Sequence, residues 1–214
     1  MIIDTHAHLD VEDFKTDLPE VVRRAHEAGV GKIFLPAIDL KSVDSVLAVC
    51  RQFPDTCWPM IGLQPEEVRD DWREVLAAMH RRILLLLRQK AEGTVLPGET
   101  VVAIGEVGLD FYWSREYERQ QLAAFEEAVK WSVETRLPLM IHCRKAQNEL
   151  LRVIRAYERE LPGGVFHCFT GNRKEAEAFL RFDRFVLGIG GVSTFKSSHL
   201  REDLPAAVPL DRIV

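Results

Sequence analysis

The order of apolar and amphipathic segments in this chain predicts a (β/α)8 barrel, in which eight parallel strands alternate with helices. Eight short apolar runs recur along the 214 residues, and amphipathic stretches separate most of them. Several runs are continuously apolar, which is typical of parallel strands buried on both faces. The predicted strands are Met1–His8, Lys32–Ala37, Cys57–Leu63, Val101–Glu106, Pro138–His142, Gly164–Cys168, Arg184–Ile189 and Asp211–Val214.

The intervening helices carry stop signals and apolar stripes. One helix ends at Gly29, which suits a C-terminal cap, and another stops at Pro162-Gly163. A third places Trp72, Leu76, Met79 and Ile83 on one face. The predicted helices are Leu18–Ala28, Asp70–Ala91, Glu116–Thr135 and Asn148–Leu161. No low-complexity linker divides the chain, so we expect a single barrel domain over residues 1–214.

The predicted eighth strand reaches the last residue of the sequence, Val214. A complete barrel continues that strand and follows it with a closing helix. We therefore expect the barrel to be truncated in its eighth strand, with its C-terminal end missing.

Composition narrows the class of protein. Hydrophobic residues make up 47% and charged residues 29%, which is ordinary for a globular domain. The net charge of −5 provides no overall positive field for long nucleic acids, so such a substrate would have to be held locally. Four cysteines without CxxC spacing, and no signal peptide after Met1, predict a cytoplasmic protein. The apolar run Ile83–Leu87 is too short to cross a membrane, and we expect a monomer or weak oligomer.

Metal-ligand residues stand at the ends of several predicted strands. His6 and His8 are spaced i and i+2, so on a strand they face the same side. Glu106 ends the fourth predicted strand, His142 the fifth, and His167 lies in the sixth. Because the C-terminal ends of barrel strands meet at one face, we expect these five side chains to lie together.

Four histidines and one carboxylate are enough to hold two divalent ions. Glu106 has two oxygens and can bridge them, and such an ion pair commonly clamps the attacking and leaving oxygens at phosphorus. The alternative for any one of these residues is a hydrogen-bonded packing group. The ligand types leave Zn²⁺, Mg²⁺, Mn²⁺ and Ni²⁺ open.

Several neighbouring residues have a predicted supporting role. Arg144, two residues beyond His142, is the expected phosphate contact, since a guanidinium matches phosphate oxygens. Asp4 and Asp110 are expected to orient the ligand imidazoles. Four aromatic residues suit either base stacking at the mouth or packing between barrel and helices, and the sequence leaves both open. They are Phe111, Tyr112, Trp113 and Phe169.

Five ordered motifs resemble those of the TatD family of metal-dependent hydrolases, a branch of the amidohydrolase-like barrels. They are IIDTHAHLD, GEVGLDFYW, PLMIHCR, VFHCFTG and LGIGGVSTFK, and the resemblance covers essentially the whole chain. It implies two divalent ions, with His6 and His8 on one, His142 and His167 on the other, and Glu106 between them. It also implies hydrolysis of phosphodiester bonds, as in a deoxyribonuclease acting on single-stranded DNA or DNA ends.

The chain departs from the family pattern at two important places. The usual Gly-x-His-Pro after the third strand is Gly62-Leu63-Gln64-Pro65, and Gln64 can hydrogen-bond a phosphate oxygen but carries no charge. The family's eighth-strand Glu-Thr-Asp, whose Asp is the expected general base, would lie beyond Val214.

Two alternative functions remain open at this stage. The same cluster could hydrolyse ester or amide bonds on a small molecule or on tRNA. The chain could also be a metal-binding barrel without turnover, because the general base is absent and Gln64 replaces a histidine.

Overall fold

A computed structural model describes residues 1–214 except the side chains of Asp203 and Ala206. Seven parallel strands form one curled sheet in sequential order, and helices connect them. The strands are β1 (Ile2–Asp4), β2 (Val30–Ala37), β3 (Cys57–Ile61), β4 (Ala103–Asp110), β5 (Leu139–Arg144), β6 (Gly164–Phe166) and β7 (Phe185–Leu187). This arrangement confirms the predicted parallel, barrel-type α/β fold.

Seven α-helices accompany the sheet in the part of the chain that the structure describes. They are α1 (Leu18–Glu27), α2 (Leu40–Gln52), α3 (Trp72–Glu92), α4 (Glu118–Thr135), α5 (Gln147–Tyr157), α6 (Arg173–Phe179) and α7 (Leu200–Ala207). Helix α2 was not among the predicted helices, although a capping box marks its start. The Asp39 carboxylate accepts from the Ser42 amide, and the Ser42 hydroxyl faces the Asp39 amide.

The eighth strand differs from its prediction. Residues Leu210–Arg212 form a 3-10 turn, and Ile213 makes a single parallel bridge with Leu187 at the end of β7. The Val214 amide donates to the Leu187 carbonyl at 2.9 Å. Pairing with β7 is thus limited to these last residues, because the preceding segment turns rather than extends.

The two faces of the sheet bury different groups. The main hydrophobic core lies between sheet and helices, and it includes Leu35, Ile61 and Ile141. Among the described residues, the inner face carries a small apolar cluster around Met60, Ala103 and Met140. This cluster occupies the lower part of the inner face and leaves the C-terminal strand ends to polar residues, as in barrel enzymes.

Only one side of the long helix α3 packs in the core. Ile83 and Leu86 are buried, while Leu84 and Leu85 are exposed on the outer side. None of the helices in the described part of the chain combines the length and apolarity needed to cross a membrane.

Glycine is required where the turn before β4 meets the end of α2. Gly98 has φ +85°, and a Cβ there would lie 2.1 Å from the Cys50 carbonyl oxygen. Gly29 has a similar φ of +87° but no atom within 4 Å of the position that a Cβ would occupy.

We expect Gly98→Ala to lower the free energy of unfolding by about 2–5 kcal/mol, the sum of backbone strain and overpacking. Gly29→Ala should cost only the strain, about 1–2 kcal/mol, in urea unfolding. Equal losses in the two variants would contradict the close approach at Cys50.

Candidate metal centre

His6 and His8 meet just beyond the first strand. β1 ends at Asp4, so both histidines lie in the following loop rather than on the strand as predicted. Their Nε2 atoms are nevertheless 3.1 Å apart. Asp4 accepts a hydrogen bond from the backbone N–H of His6 at 3.0 Å. The carboxylate of Asp4 therefore supports the loop backbone and not a histidine ring, contrary to expectation.

A β-bulge turns Glu106 toward the inner face. The pairing of β4 with β5 shifts register between Ile104 and Val107. Ala103 packs in the inner cluster, and Glu106, three positions later, also faces inward, whereas strict alternation would place it outside. The extra residue of the bulge resolves this conflict, which is a common use of bulges beside functional sites.

The Glu106 carboxylate lies between histidines from different strand ends. One oxygen, Oε2, is 3.1 Å from His6 Nε2 and 3.6 Å from His8 Nε2, and Oε1 is 3.0 Å from His142 Nδ1. The residue is only 4% exposed. Burial alone would raise the pKa of this carboxyl, but hydrogen bonds from His142, His6 and His8 outweigh burial and hold it well below its usual value. Glu106 is therefore ionised.

Asp110 holds His142 from the other side. Its Oδ2 is 2.8 Å from His142 Nε2, as expected for an acid that orients an imidazole. The backbone of Asp110 is tied in turn to Gln121 on α4. Burial opposes the charged form of His142, but the hydrogen bonds to Asp110 and Glu106 prevail and raise its pKa to about 9. In its protonated form the ring donates from Nε2 to Asp110 and from Nδ1 to Glu106, and loss of the Nδ1 proton frees that atom as a metal ligand.

His167 joins the group through its ring face. It stacks on His6 with ring centroids 3.5 Å apart and planes at 11°. Burial, with a smaller contribution from His6, lowers the pKa of His167 to about 3, so its ring is neutral. Among the described residues, no cluster of three closely spaced ligand atoms includes His167.

The donor set fits divalent cations. His6, His8 and Glu106 offer ligand atoms within 4.8 Å of one another. Two ligands about 2.1 Å from a shared ion lie about 3.0–3.4 Å apart, which is close to the separations found here. The buried Nδ1 of His6 has no hydrogen-bond partner in the described structure. Glu66, Asp110 and His142 form a second such group. Glu66 was not among the predicted site residues, and the only signal for it in the sequence is the pair of acids, Glu66 and Glu67, after Gln64-Pro65.

A cavity of about 1330 Å³ opens above these groups, and Glu106, His142 and His167 line it. Arg144 also lines the cavity. Gln64 is 9% exposed and is bonded within its own loop, where its Oε1 accepts from the Glu66 amide at 2.6 Å. The structure thus brings both predicted substrate contacts, Gln64 and Arg144, to the cavity that His8, His142 and His167 line.

Comparison with known proteins places this fold and site in one family. The family model described as TatD related DNase matches residues 3–214. The chain belongs to the TatD-related DNase family. The metal-dependent hydrolase YabD of Bacillus subtilis is 30% identical over 214 residues, which cover all of this chain and 78% of that protein. The 3'-5' ssDNA/RNA exonuclease TatD of Edwardsiella piscicida is 33% identical, with coverage of 100% and 77%.

Solved structures agree with this assignment. The crystal structure of YJJV, a TatD homologue from Escherichia coli K12, matches with a TM-score of 0.83 at 29% identity, covering 100% of this chain and 77% of that one. A TatD family hydrolase from Entamoeba histolytica matches in fold with a TM-score of 0.78 at 22% identity. This TatD-family chain is accordingly a metal-dependent hydrolase of the nuclease type.

The hydrogen bond between Asp110 and His142 generates a pH prediction for metal-free protein. The raised pKa of His142 favours folding below its ordinary value of 6.5, and this contribution is lost as the pH rises through about 9. In Asp110→Asn we expect the His142 pKa to fall, as measured by NMR titration in chelator. His167, with its pKa lowered to about 3, serves as an internal control and should not titrate near neutrality in either protein. An unchanged His142 pKa would contradict the contact.

Proposed function

We propose that this chain hydrolyses phosphodiester bonds in single-stranded DNA or at DNA ends, using two divalent ions. The observation that carries the proposal is the ionised Glu106 carboxylate, which faces His6 and His8 with one oxygen and His142 with the other. The naming of a 33% identical relative as a 3'-5' ssDNA/RNA exonuclease supports the substrate class and suggests attack from a 3' end.

Each oxygen of Glu106 has its own set of candidate ligands. His6 and His8 would hold one ion together with Glu106. His142 also contacts Glu106, and the family resemblance assigns His142 and His167 to the second ion. When bound, divalent ions stabilise negative charge on phosphoryl oxygens and make water more acidic. The ions are drawn from Zn²⁺, Mg²⁺, Mn²⁺ and Ni²⁺, whose preferences overlap for this mixture of imidazole and carboxylate.

The chain's own residues supply orientation and charge. Asp110 fixes the ring of His142 through the 2.8 Å hydrogen bond, which keeps Nδ1 directed at Glu106. Arg144 would donate hydrogen bonds to a phosphate oxygen as negative charge develops there. Gln64 would donate a hydrogen bond to a second phosphate oxygen in place of its hydrogen bond to the Glu66 carboxylate.

The bridging role of Glu106 predicts a specific loss of metal. Glu106→Gln removes the negative charge shared by the two ligand sets, so we expect divalent-ion affinity to fall at least about tenfold to a hundredfold. Calorimetric titration and elemental analysis measure the affinity and the stoichiometry. Glu134→Gln is the matched control, because Glu134 also pairs with an imidazole, His80 at 3.0 Å, but does not belong to the candidate metal site. Undiminished binding by Glu106→Gln would refute the bridge.

Substrate class is tested with 5'-labelled single-stranded and duplex oligonucleotides of the same sequence. We expect metal-loaded protein to shorten the single strand progressively from its 3' end, and chelation to abolish the reaction until a divalent ion is restored. Hydrolysis of carboxyl esters with none of phosphodiesters would instead support the ester or amide alternative. Tight metal binding without turnover of either substrate would indicate a non-catalytic site.

A further inference from the structure

Two exposed aromatic residues stand beside the metal centre without a role in the core. Tyr112 and Trp113 follow β4 after Phe111 and are 48% and 67% exposed. Their rings meet edge to face with centroids 4.8 Å apart. Of the four aromatic residues for which stacking and packing were both open, the other two are packed, since Phe111 and Phe169 are 7% and 4% exposed. The packing explanation therefore does not account for Tyr112 and Trp113.

The position of this aromatic pair is tied to the metal centre. The Tyr112 amide donates to Asp110 Oδ1 at 2.8 Å, while the other oxygen of the same carboxylate contacts His142. Tyr112 also lines the cavity. One buried carboxylate thus sets both the orientation of a candidate ligand and the start of the aromatic loop.

Arg144 packs against both rings. Its guanidinium carbon lies 3.7 Å from the Tyr112 ring centroid and 5.3 Å from that of Trp113, within the range of cation–π contacts. In the described structure no carboxylate lies within 4.0 Å of this guanidinium, and it donates no hydrogen bond. Its N–H donors are consequently available to an anion while its flat face is held by the aromatic pair.

We infer that Tyr112 and Trp113 form a stacking subsite for one nucleobase of the substrate strand, beside the phosphate that Arg144 binds. A flat aromatic surface next to an unpaired guanidinium matches a nucleotide, which joins a flat base to an anionic phosphate. Bases within a duplex are stacked on both faces, so the subsite accepts an unpaired or terminal base. The inference rests on the proposed function and deepens it, because it assigns the preference for single strands to particular residues.

The test compares a short single-stranded oligodeoxynucleotide with an oligomer of the same length in which abasic sugars replace the nucleosides. Trp113→Leu should weaken binding of the intact oligomer by about five- to 150-fold, as expected for loss of one stacked base. Trp113→Phe should stay close to the parent protein. Neither variant should change binding of the abasic oligomer, since Arg144 still packs on Tyr112. Leu85→Ala, an exposed apolar change on α3, is the surface control.

Binding is measured in chelator by fluorescence anisotropy of labelled oligomers, so the result does not depend on turnover. Trp113 is the most exposed tryptophan, and its emission should be quenched by the intact oligomer only. With metal restored, Trp113→Leu should raise KM for DNA and leave kcat within about twofold. Equal losses on intact and abasic oligomers, or no loss on either, would overturn the subsite. Base-dependent binding without hydrolysis by the parent protein would refute the proposed nuclease activity alone.

Discussion

The buried charge of Glu106 is the constraint around which the site is built. An ionised carboxylate at 4% exposure is tolerated only if opposing dipoles, protons or cations surround it. Here the surrounding groups come from the loop after β1 and from β5, so the first and fifth strand ends must come together before the charge is compensated. The curled parallel sheet accomplishes this, because it directs all its C-terminal ends toward one cavity.

The two faces of the sheet have different roles, one in stability and the other in the candidate site. Its outer face carries the large apolar core with the helices, which stabilises the fold. Its inner face has few apolar residues, and Glu106 reaches it through the bulge in β4. Stability therefore depends mainly on one face, and the other accommodates polar groups that would be costly in a continuous core.

Asp110 connects a candidate metal ligand to the proposed substrate contacts. One of its oxygens contacts His142 and the other accepts from Tyr112, whose ring supports Arg144. The parallel register of β4 and β5 pairs Asp110 directly with Arg144, so the same two strands supply all these groups. A side chain that appears secondary in sequence is thus the connection between the candidate metal ligands and the surface around them.

The sequence by itself determined the parallel α/β barrel fold and which residues lie near the C-terminal ends of its strands. Both follow from apolar runs and from the order of the motifs, which are local properties of the chain. It also identified His6, His8, Glu106 and His142, whose side chains the structure brings together. Helix α2 was not predicted because its capping box has Ser42 at the position where Glu or Gln is usual. Only the tertiary structure decided that Asp4 supports the backbone, that Glu66 approaches His142, and that Tyr112 is exposed while Phe111 is buried. These outcomes depend on register, bulges and loop paths, which arise from contacts between segments distant in sequence.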